Sequence, residues 1–488
     1  MSTFLGIDLG TSAAKAVVLS ETGEVLARAR VAHPQSRTTS PGRADPAAWR
    51  GSISAACAEL GTRLDDVGGV GIDAHCPTLV PMRTDGTPVG LAVTWDHPAL
   101  AGYVQRYAGM LTPEEVAATG NHTSQSTFVA LAYHLMRETD AEAFSGLARL
   151  GFAGTWLGGW LTGCLAVDPT QASYSGIFDT TGATPEWLLS ATARLGIDAA
   201  VLPPIMTASE VLGRVRREVG AELGIPTGVP VIVGCADTPA ASFALGTSPG
   251  HRPFLSIGTT HVANACLSRP DKRARCLQRR GVRTNEWLIN GVTNGGDSLA
   301  TAARLLGFGD AAGAVADMVA LATEISADEA RTAPYFIPHV MPERGPFWMD
   351  GSSSGLVGIT RDATRASVAR AVVEGVLLTD RMVLESVIPP GTEPIALTGA
   401  FGSDLRLPQL IADMLGRSLD VVIEPDLPAI GAAGLCIESL TGYKPDAVSG
   451  TPIHPRSERV AAVVERQASF QRHWSALTGQ PLPPTLTR

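Results

Sequence analysis

The sequence predicts an α/β protein made of two related halves, each opening on a β-hairpin whose turn is rich in glycine and hydroxyl residues. Three observations lead there. Apolar segments of strand length alternate with segments whose apolar residues recur at helical spacing. The stretch "FLGIDLGTSAAKAVVLS", Phe4 to Ser20, returns in pattern as "RPFLSIGTTHVANACLS", Arg252 to Ser268, at the start of the second half. With 488 residues and 45% hydrophobic content, the chain can fill more than one substantial core.

Taken in order, Phe4–Ile7 and Ala16–Leu19 read as strands, and "ETGE" at Glu21–Glu24 turns the chain into a third, Val25–Val31. Asp45–Leu60 and Ser124–Thr139 carry helical spacing, a further strand ends at Ile72 and Asp73, and "TDG" at Thr84–Gly86 marks another hairpin turn. Helices and Pro-containing connectors are expected from Thr184 to Ala221. A buried strand, Val229–Gly234, then feeds a helix that carries Pro239 in its first turn. "GTSPGHRP" reads as a linker, dividing the chain into 1–246 and 247–488. In the second part Val368, Val372, Val373, Val376 and Leu377 share one helical face, and "IALTGAFGSDLRLPQLIADMLG" and "DLPAIGAAGLCIESL" place small residues immediately before helices.

Charge and cysteines narrow the function. A net charge of -9 and a pI near 5.6 provide no basic field for nucleic acid or an anionic membrane surface. The 7 cysteines are scattered, odd in number and never spaced as C-x-x-C, which fits neither a zinc site nor a disulfide framework and points to a reducing cytoplasm. "MSTFLGID" has no basic and apolar leader, and no uninterrupted apolar run is long enough to span a bilayer.

The two hairpin turns carry the chemistry. Glycine lets an anion approach backbone N–H groups, and hydroxyls add donors, so Gly10, Thr11 and Ser12 in one loop and Gly258, Thr259 and Thr260 in the other could grip a polyphosphate from both sides. Lys15 adds a compact positive charge, and Asp8 at a strand end is placed to organise a hydrated magnesium ion. Taken singly, each loop also reads as a plain turn; the pairing favours the phosphate reading. No G-x-x-x-x-G-K-[ST] occurs, and "GVGIDA" at Gly69–Ala74 has its glycines before a strand instead of between strand and helix, so neither a P-loop nor a dinucleotide fingerprint is present.

The ordered segments "GIDLGTSAAK", "GIDAHCPTLV", "AVTWD", "WLTGCLAVDPTQAS", "VGCADTPAASFALG", "LSIGTT", "FIPHVMPERGPFWMDGSSSGLVGIT", "LTGAFGSDLRLPQLIADMLGR" and "AIGAAGL" together resemble the FGGY carbohydrate kinases, nearest the xylulokinase-like branch. The resemblance spans Phe4 to about Gly442. It implies duplicated ribonuclease-H-like domains of the actin and hexokinase type around a cleft, with ATP and Mg2+ as cofactors and a small ketose or polyol as acceptor, a pentulose such as xylulose foremost. It also implies Asp237 as the base that takes the proton of the attacking hydroxyl, against the plainer reading of Asp237 as a helix cap. Magnesium organisation would fall to Asp8, and to Asp237 through water. Gly399, Gly402 and Ser403 become adenosine contacts, with Gly295 and Gly296 near the nucleotide.

On the acceptor side the resemblance implies His75, Cys76, Trp95, Asp96, Asp237 and Thr238. The chain departs from the family there. His75-Cys76-Pro77 replaces the Gln-Met-His run of xylulokinases, the Arg-Glu pair of glycerol kinases is absent, and Thr238 stands where Asn is common. Phe401 interrupts the glycine-rich adenosine loop, while "PERGP" keeps Glu343 and Arg344 in a structural or hinge-related place. These departures motivate an alternative, a sugar-sensing or regulatory protein that keeps the fold with weak catalysis; a chaperone-like or filament-forming ATPase is the third reading. A homodimer is common in the family, and no segment of the sequence demands one.

Overall fold

The computed structural model describes residues 2–34, 41–273, 275–311, 313–389, 391–399 and 405–485. The first hairpin forms as the sequence predicts. β1 (Thr3–Leu9) pairs antiparallel with β2 (Ala13–Ser20), and β2 with β3 (Val25–Ala32). α1 (Pro46–Leu60) starts on Asp45, whose carboxylate accepts from Ala47 N at 2.9 Å, with Pro46 at the first helical position where its missing N–H costs nothing. β4 (Val67–Ala74) then lies parallel to β1. β5 (Val211–Arg214), β6 (Pro230–Ile232) and β7 (Cys235–Ala236) complete a sheet of order β3-β2-β1-β4-β6-β5, with β7 also beside β4.

The second sheet repeats the plan. β8 (Phe254–Ile257) and β9 (His261–Leu267) form the second hairpin, followed by β10 (Leu277–Arg280) and β11 (Trp287–Thr293). With β12 (Ile395–Gly399), β13 (Leu419–Val422) and β14 (Thr451–Ile453) the order is β10-β11-β9-β8-β12-β13-β14. In both sheets an antiparallel hairpin is extended by parallel strands on the side of its first member: β1 joins β4, and β8 joins β12. A smaller sheet combines Arg43–Ala44, which precedes α1, with strands inserted between β4 and β5, in the order Arg43–Ala44, Ala92–Thr94, Thr78–Met82, Arg149–Phe152.

Four further helices position the cleft. α2 (Asp237–Ala244) follows β7, α3 (Gly295–Leu305) follows β11, α4 (Arg365–Val387) runs buried through the second core, and α5 (Leu427–Thr441) crosses the first sheet. α5 lies so close to that sheet that a β-carbon at Gly6 would run into the Ala429 carbonyl, and one at Gly71 into the Ala432 carbonyl. Where α5 crosses α2, Gly431 faces the Ala240 carbonyl in the same way. Phe4, Val17 and Ile232 of the first sheet are therefore buried in one core with Ala396, Val422 and Ile430 of the second half. α6 (Ser457–Thr478) closes the far side.

The structure corrects four expectations. The helix assigned to Ser124–Thr139 begins only at Val129, because Ser124 and Thr127 bond their hydroxyls at 2.7 Å and Thr127 Oγ1 donates to His122 O at 2.9 Å, a local turn that outcompetes helix. The connector region 184–221 contains strand β5. The strand Val229–Gly234 shortens to β6, with β7 a separate short strand beyond Gly234, which has φ 76° and packs against the Ile72 carbonyl where no β-carbon would fit. In "DLPAIGAAGLCIESL" the small residues lie inside α5, not before it, and serve its close crossings.

Candidate active site

Parallel pairing of β1 with β4 sets Gly6 opposite Gly71, Ile7 opposite Ile72 and Asp8 opposite Asp73, so two carboxylates meet at the same edge of the sheet. β7 runs beside β4 with Cys235 opposite Asp73, and Asp237 follows two residues later as the first residue of α2. Ala236, not Asp237, occupies the N-cap position. Asp237 Oδ1 accepts from Thr238 N at 2.6 Å and from Thr238 Oγ1 at 3.2 Å. The backbone just before it is held by Ala236 N donating to Thr170 Oγ1 at 2.9 Å. Thr170 N in turn donates to the buried Asp168 at 2.7 Å, whose carboxyl burial pushes up to about 6 against the hydrogen bonds from Thr170 and Gln171.

Electrostatics at this edge are dominated by burial. Lys15 Nζ lies 3.0 Å from Asp8 Oδ2 and also donates to Pro425 O at 3.2 Å. Burial nevertheless raises the Asp8 carboxyl above its ordinary value, outweighing Lys15. Asp73 is raised well above the carboxylate range by burial and by the neighbouring Asp8 and Asp237 charges, and neither of its oxygens accepts a hydrogen bond. Among the described residues no group of three or more His, Cys, Asp or Glu side chains can hold a metal ion by itself. That donor set fits magnesium, which keeps several waters and takes one or two carboxylates together with substrate phosphates; Asp8 Oδ1, buried without a partner, is an available oxygen.

The two predicted phosphate loops are placed as follows. Gly10 N donates to Ala13 O at 3.1 Å, closing the first turn; Gly10 O accepts from His33 Nε2 at 3.0 Å; and Thr11 and Ser12 are exposed. In the second, Gly258 N donates to Thr260 O at 3.1 Å. The start of α3 presses against this turn: Asp297 N donates to Thr259 O at 3.1 Å, and a β-carbon on Gly296 would lie 2.8 Å from Thr259 Cα. Gly295 packs as closely on the His261 ring. A helix N-terminus beside a glycine turn presents backbone N–H groups to an anion.

A chain of side chains fixes that helix start. Asn294 donates from N and Nδ2 to Glu343 Oε2 at 3.1 and 3.0 Å; Glu343 Oε1 accepts from His339 Nδ1 at 3.0 Å; and His339 Nε2 accepts from Trp474 Nε1 of α6 at 2.7 Å. The retained Glu343 of "PERGP" is thus a brace for α3.

A cavity of about 580 Å³ is lined by Lys15, Asp237, Thr238, Thr398, Gly399 and Glu424, among others, and so joins the first loop's lysine, the candidate base and the end of β12. Gly402 and Ser403 lie outside the described residues.

On the acceptor side His75 is buried. Its Nδ1–H donates to Leu9 O at 2.9 Å, which leaves Nε2 as an acceptor without a protein partner, and burial lowers its pKa so that the ring stays neutral. Trp49 meets its ring edge-on at 5.2 Å. Cys76 precedes a cis peptide bond to Pro77, and burial pushes its thiol up. Trp95 is half-buried under the Arg344 guanidinium, 5.7 Å from the ring centre, and Asp96 is exposed and accepts from Thr94 Oγ1.

Two residues here escape sequence reasoning. Asp73 could have been found from the repeated "GID", at 6–8 and 71–73. Arg279 of β10 lies with its guanidinium carbon 3.9 Å over the Tyr174 ring and close enough to Cys76 and Asp237 to feel both; no local pattern marks it.

Comparison with known proteins follows the same lines. Residues 3–244 match the profile of the FGGY family of carbohydrate kinases, N-terminal domain, and residues 254–439 that of its C-terminal domain. The xylulose kinase of Klebsiella pneumoniae is 28% identical over 503 residues, covering 97% of this chain and 99% of the relative. That of Escherichia coli K12 is 26% identical over 494 residues, with 97% and 99% covered. The crystal structure of ligand-bound xylulose kinase from Lactobacillus acidophilus superposes with a TM-score of 0.86 at 21% identity, covering 98% of this chain and 99% of that one.

Proposed function

Because this chain belongs to the FGGY family of carbohydrate kinases across both halves, and is therefore an ATP-dependent sugar kinase, we propose that Asp237 is its general base and that its acceptor is a small ketose or polyol chain of about pentulose size. The observation that carries this reading is the single cavity shared by Lys15, Asp237, Thr238 and the end of β12, with Asp8 bonded to Lys15 at its edge. The similarity to xylulose kinases supports the pentulose scale.

Asp237 sits at the junction of nucleotide and acceptor sides. Its Oδ1 is occupied by Thr238, and its remaining acceptor capacity can receive the proton of the attacking hydroxyl. His75 Nε2 is suited to accept from a second acceptor hydroxyl, which would orient the chain for in-line attack. Gly10–Ser12 and Gly258–Thr260, with α3 behind the latter, offer N–H and hydroxyl donors to the phosphates, and Thr398 and Gly399 border the adenosine side. Asp8, with Asp237 through water, would hold magnesium, which when bound neutralises phosphate charge. Lys15 keeps Asp8 oriented toward that role. Closure of the halves, divided near Gly246, would exclude water from the transfer.

The test is an ADP-release assay with MgATP across ketotetroses, ketopentoses, ketohexoses and polyols, with product mass read for each positive. Saturable turnover and a product heavier by one phosphate is the expected outcome. Silence across all of these acceptors in folded, ATP-binding protein would overturn the neutral ketose or polyol as acceptor.

A further inference from the structure

We infer that the acceptor carries a carboxylate and that Arg279 receives it, an assignment that rests on the kinase reading and replaces its neutral acceptor with a sugar acid of similar chain length. Arg279 is 3% exposed, yet no oxygen among the described residues accepts a hydrogen bond from its Nε or Nη1. The contrast with the buried Arg252 and Arg466 is sharp. Arg252 is bonded to Leu245 O, Asp420 and Val448 O, and Arg466 to Glu374 and the carbonyls of Arg331, Ala333 and Pro334. A buried guanidinium with two of its nitrogens left without acceptors is costly, and its retention is explained when a ligand supplies them.

Its surroundings belong to the acceptor side. The guanidinium carbon lies 3.9 Å over the Tyr174 ring, whose buried hydroxyl interacts with Arg279 and has no other partner among the described residues, and Cys76 stands beside both. Tyr174 and Cys76 come from the first half, whereas Arg279, Leu277 and Trp348 reach in from the second. A group bound to Arg279 is therefore held across the cleft. The flat fork of a guanidinium matches a carboxylate with two parallel hydrogen bonds.

Charge balance selects a monoanion. The other cation of this wall, Arg344, lies over Trp95 and is acted on by the adjacent Glu343 charge, whereas Arg279 has no salt bridge among the described residues. A dianionic phosphate ester would put surplus negative charge beside Asp237, whose carboxylate field already acts on Arg279. Neutral sugars would leave the Arg279 donors competing for hydroxyl oxygens alone. The acceptor is thus an open-chain sugar acid, its acid end at Arg279 and a hydroxyl at Asp237.

The test compares kcat/KM of the whole enzyme for five- and six-carbon aldonates and 2-ketoaldonates, for neutral ketoses and polyols of the same length, and for sugar monophosphates. Acids are expected to exceed neutral chains by on the order of 100-fold. Arg279→Gln is expected to lose a similar factor for acids, mostly in KM, with Arg279→Lys recovering part of it. Preference for neutral chains or for monophosphates overturns the carboxylate and leaves the kinase reading standing; silence with every acceptor overturns both. An equal loss on acids and neutral sugars in folded Arg279→Gln also overturns it. If that variant does not fold, the wild-type panel alone decides.

Discussion

Asp8 and Asp73 face one another in register on parallel strands, but only Asp8 is salt-bridged: Lys15 Nζ lies 3.0 Å from it, and among the described residues no cation forms a salt bridge with Asp73. Their substitutions should therefore diverge. In magnesium-free buffer Asp73→Asn replaces a carboxyl that burial already drives toward its neutral form with a neutral amide, so thermal stability should change by no more than about 1 kcal/mol. Asp8→Asn strands a mostly buried lysine and should cost about 2 kcal/mol. Calorimetric unfolding of both variants gives the comparison; equal destabilisation would contradict the asymmetry.

Asp237→Asn keeps the size of the side chain and its bond to Thr238 while removing the base. Turnover should fall about 1,000-fold or more, with ATP affinity within a few-fold of wild type. ADP release together with titration calorimetry for the nucleotide separates the two effects. Near-normal turnover in the folded variant would end the assignment.

Gly296→Ala places a β-carbon against the Gly258 carbonyl and 2.8 Å from Thr259 Cα, backbone atoms that cannot step aside cheaply. The start of α3 or the second loop must shift. A loss of on the order of 100-fold in kcat/KM for ATP is expected. Ala at Gly307, where nothing lies within 4 Å but φ is 77°, should instead cost stability with little change in KM.

His134 governs a pH response away from the cleft. Burial lowers its pKa to about 4, with Arg137 and Arg106 adding to the shift, while the ring stacks on Tyr107 at 4.3 Å. A folded pKa below the unfolded 6.5 means its contribution is complete above pH 6.5 and is lost as pH falls toward 4. His134→Phe keeps the stack and should flatten that fall by on the order of 2 kcal/mol. Melting temperatures of the two proteins from pH 7 to 4 provide the check; parallel curves would refute it.

Legibility in the sequence tracks how local each cause is. The two hairpins and the Asp237 junction are written in contiguous residues, so alternation, glycines and a strand-to-helix passage reveal them. Asp73 sits in a stretch that invites comparison with a dinucleotide loop, and its partnership with Asp8 exists only through strand pairing. Arg279 is harder still. "LQRR" has the look of an exposed edge, and its burial follows from how the second half closes over Tyr174. The glycines of β4 likewise answer to a helix more than 350 residues later, which no window of sequence contains.

That distance also orders events during synthesis. β1 to β4 leave the ribosome early, but the face they offer to α5 stays bare until residues 427–441 have been made. The nascent chain carries an unsatisfied apolar surface, with Phe4 and Val17 in it, through most of translation. A first half released by proteolysis would therefore tend to aggregate through that face instead of persisting as a free module.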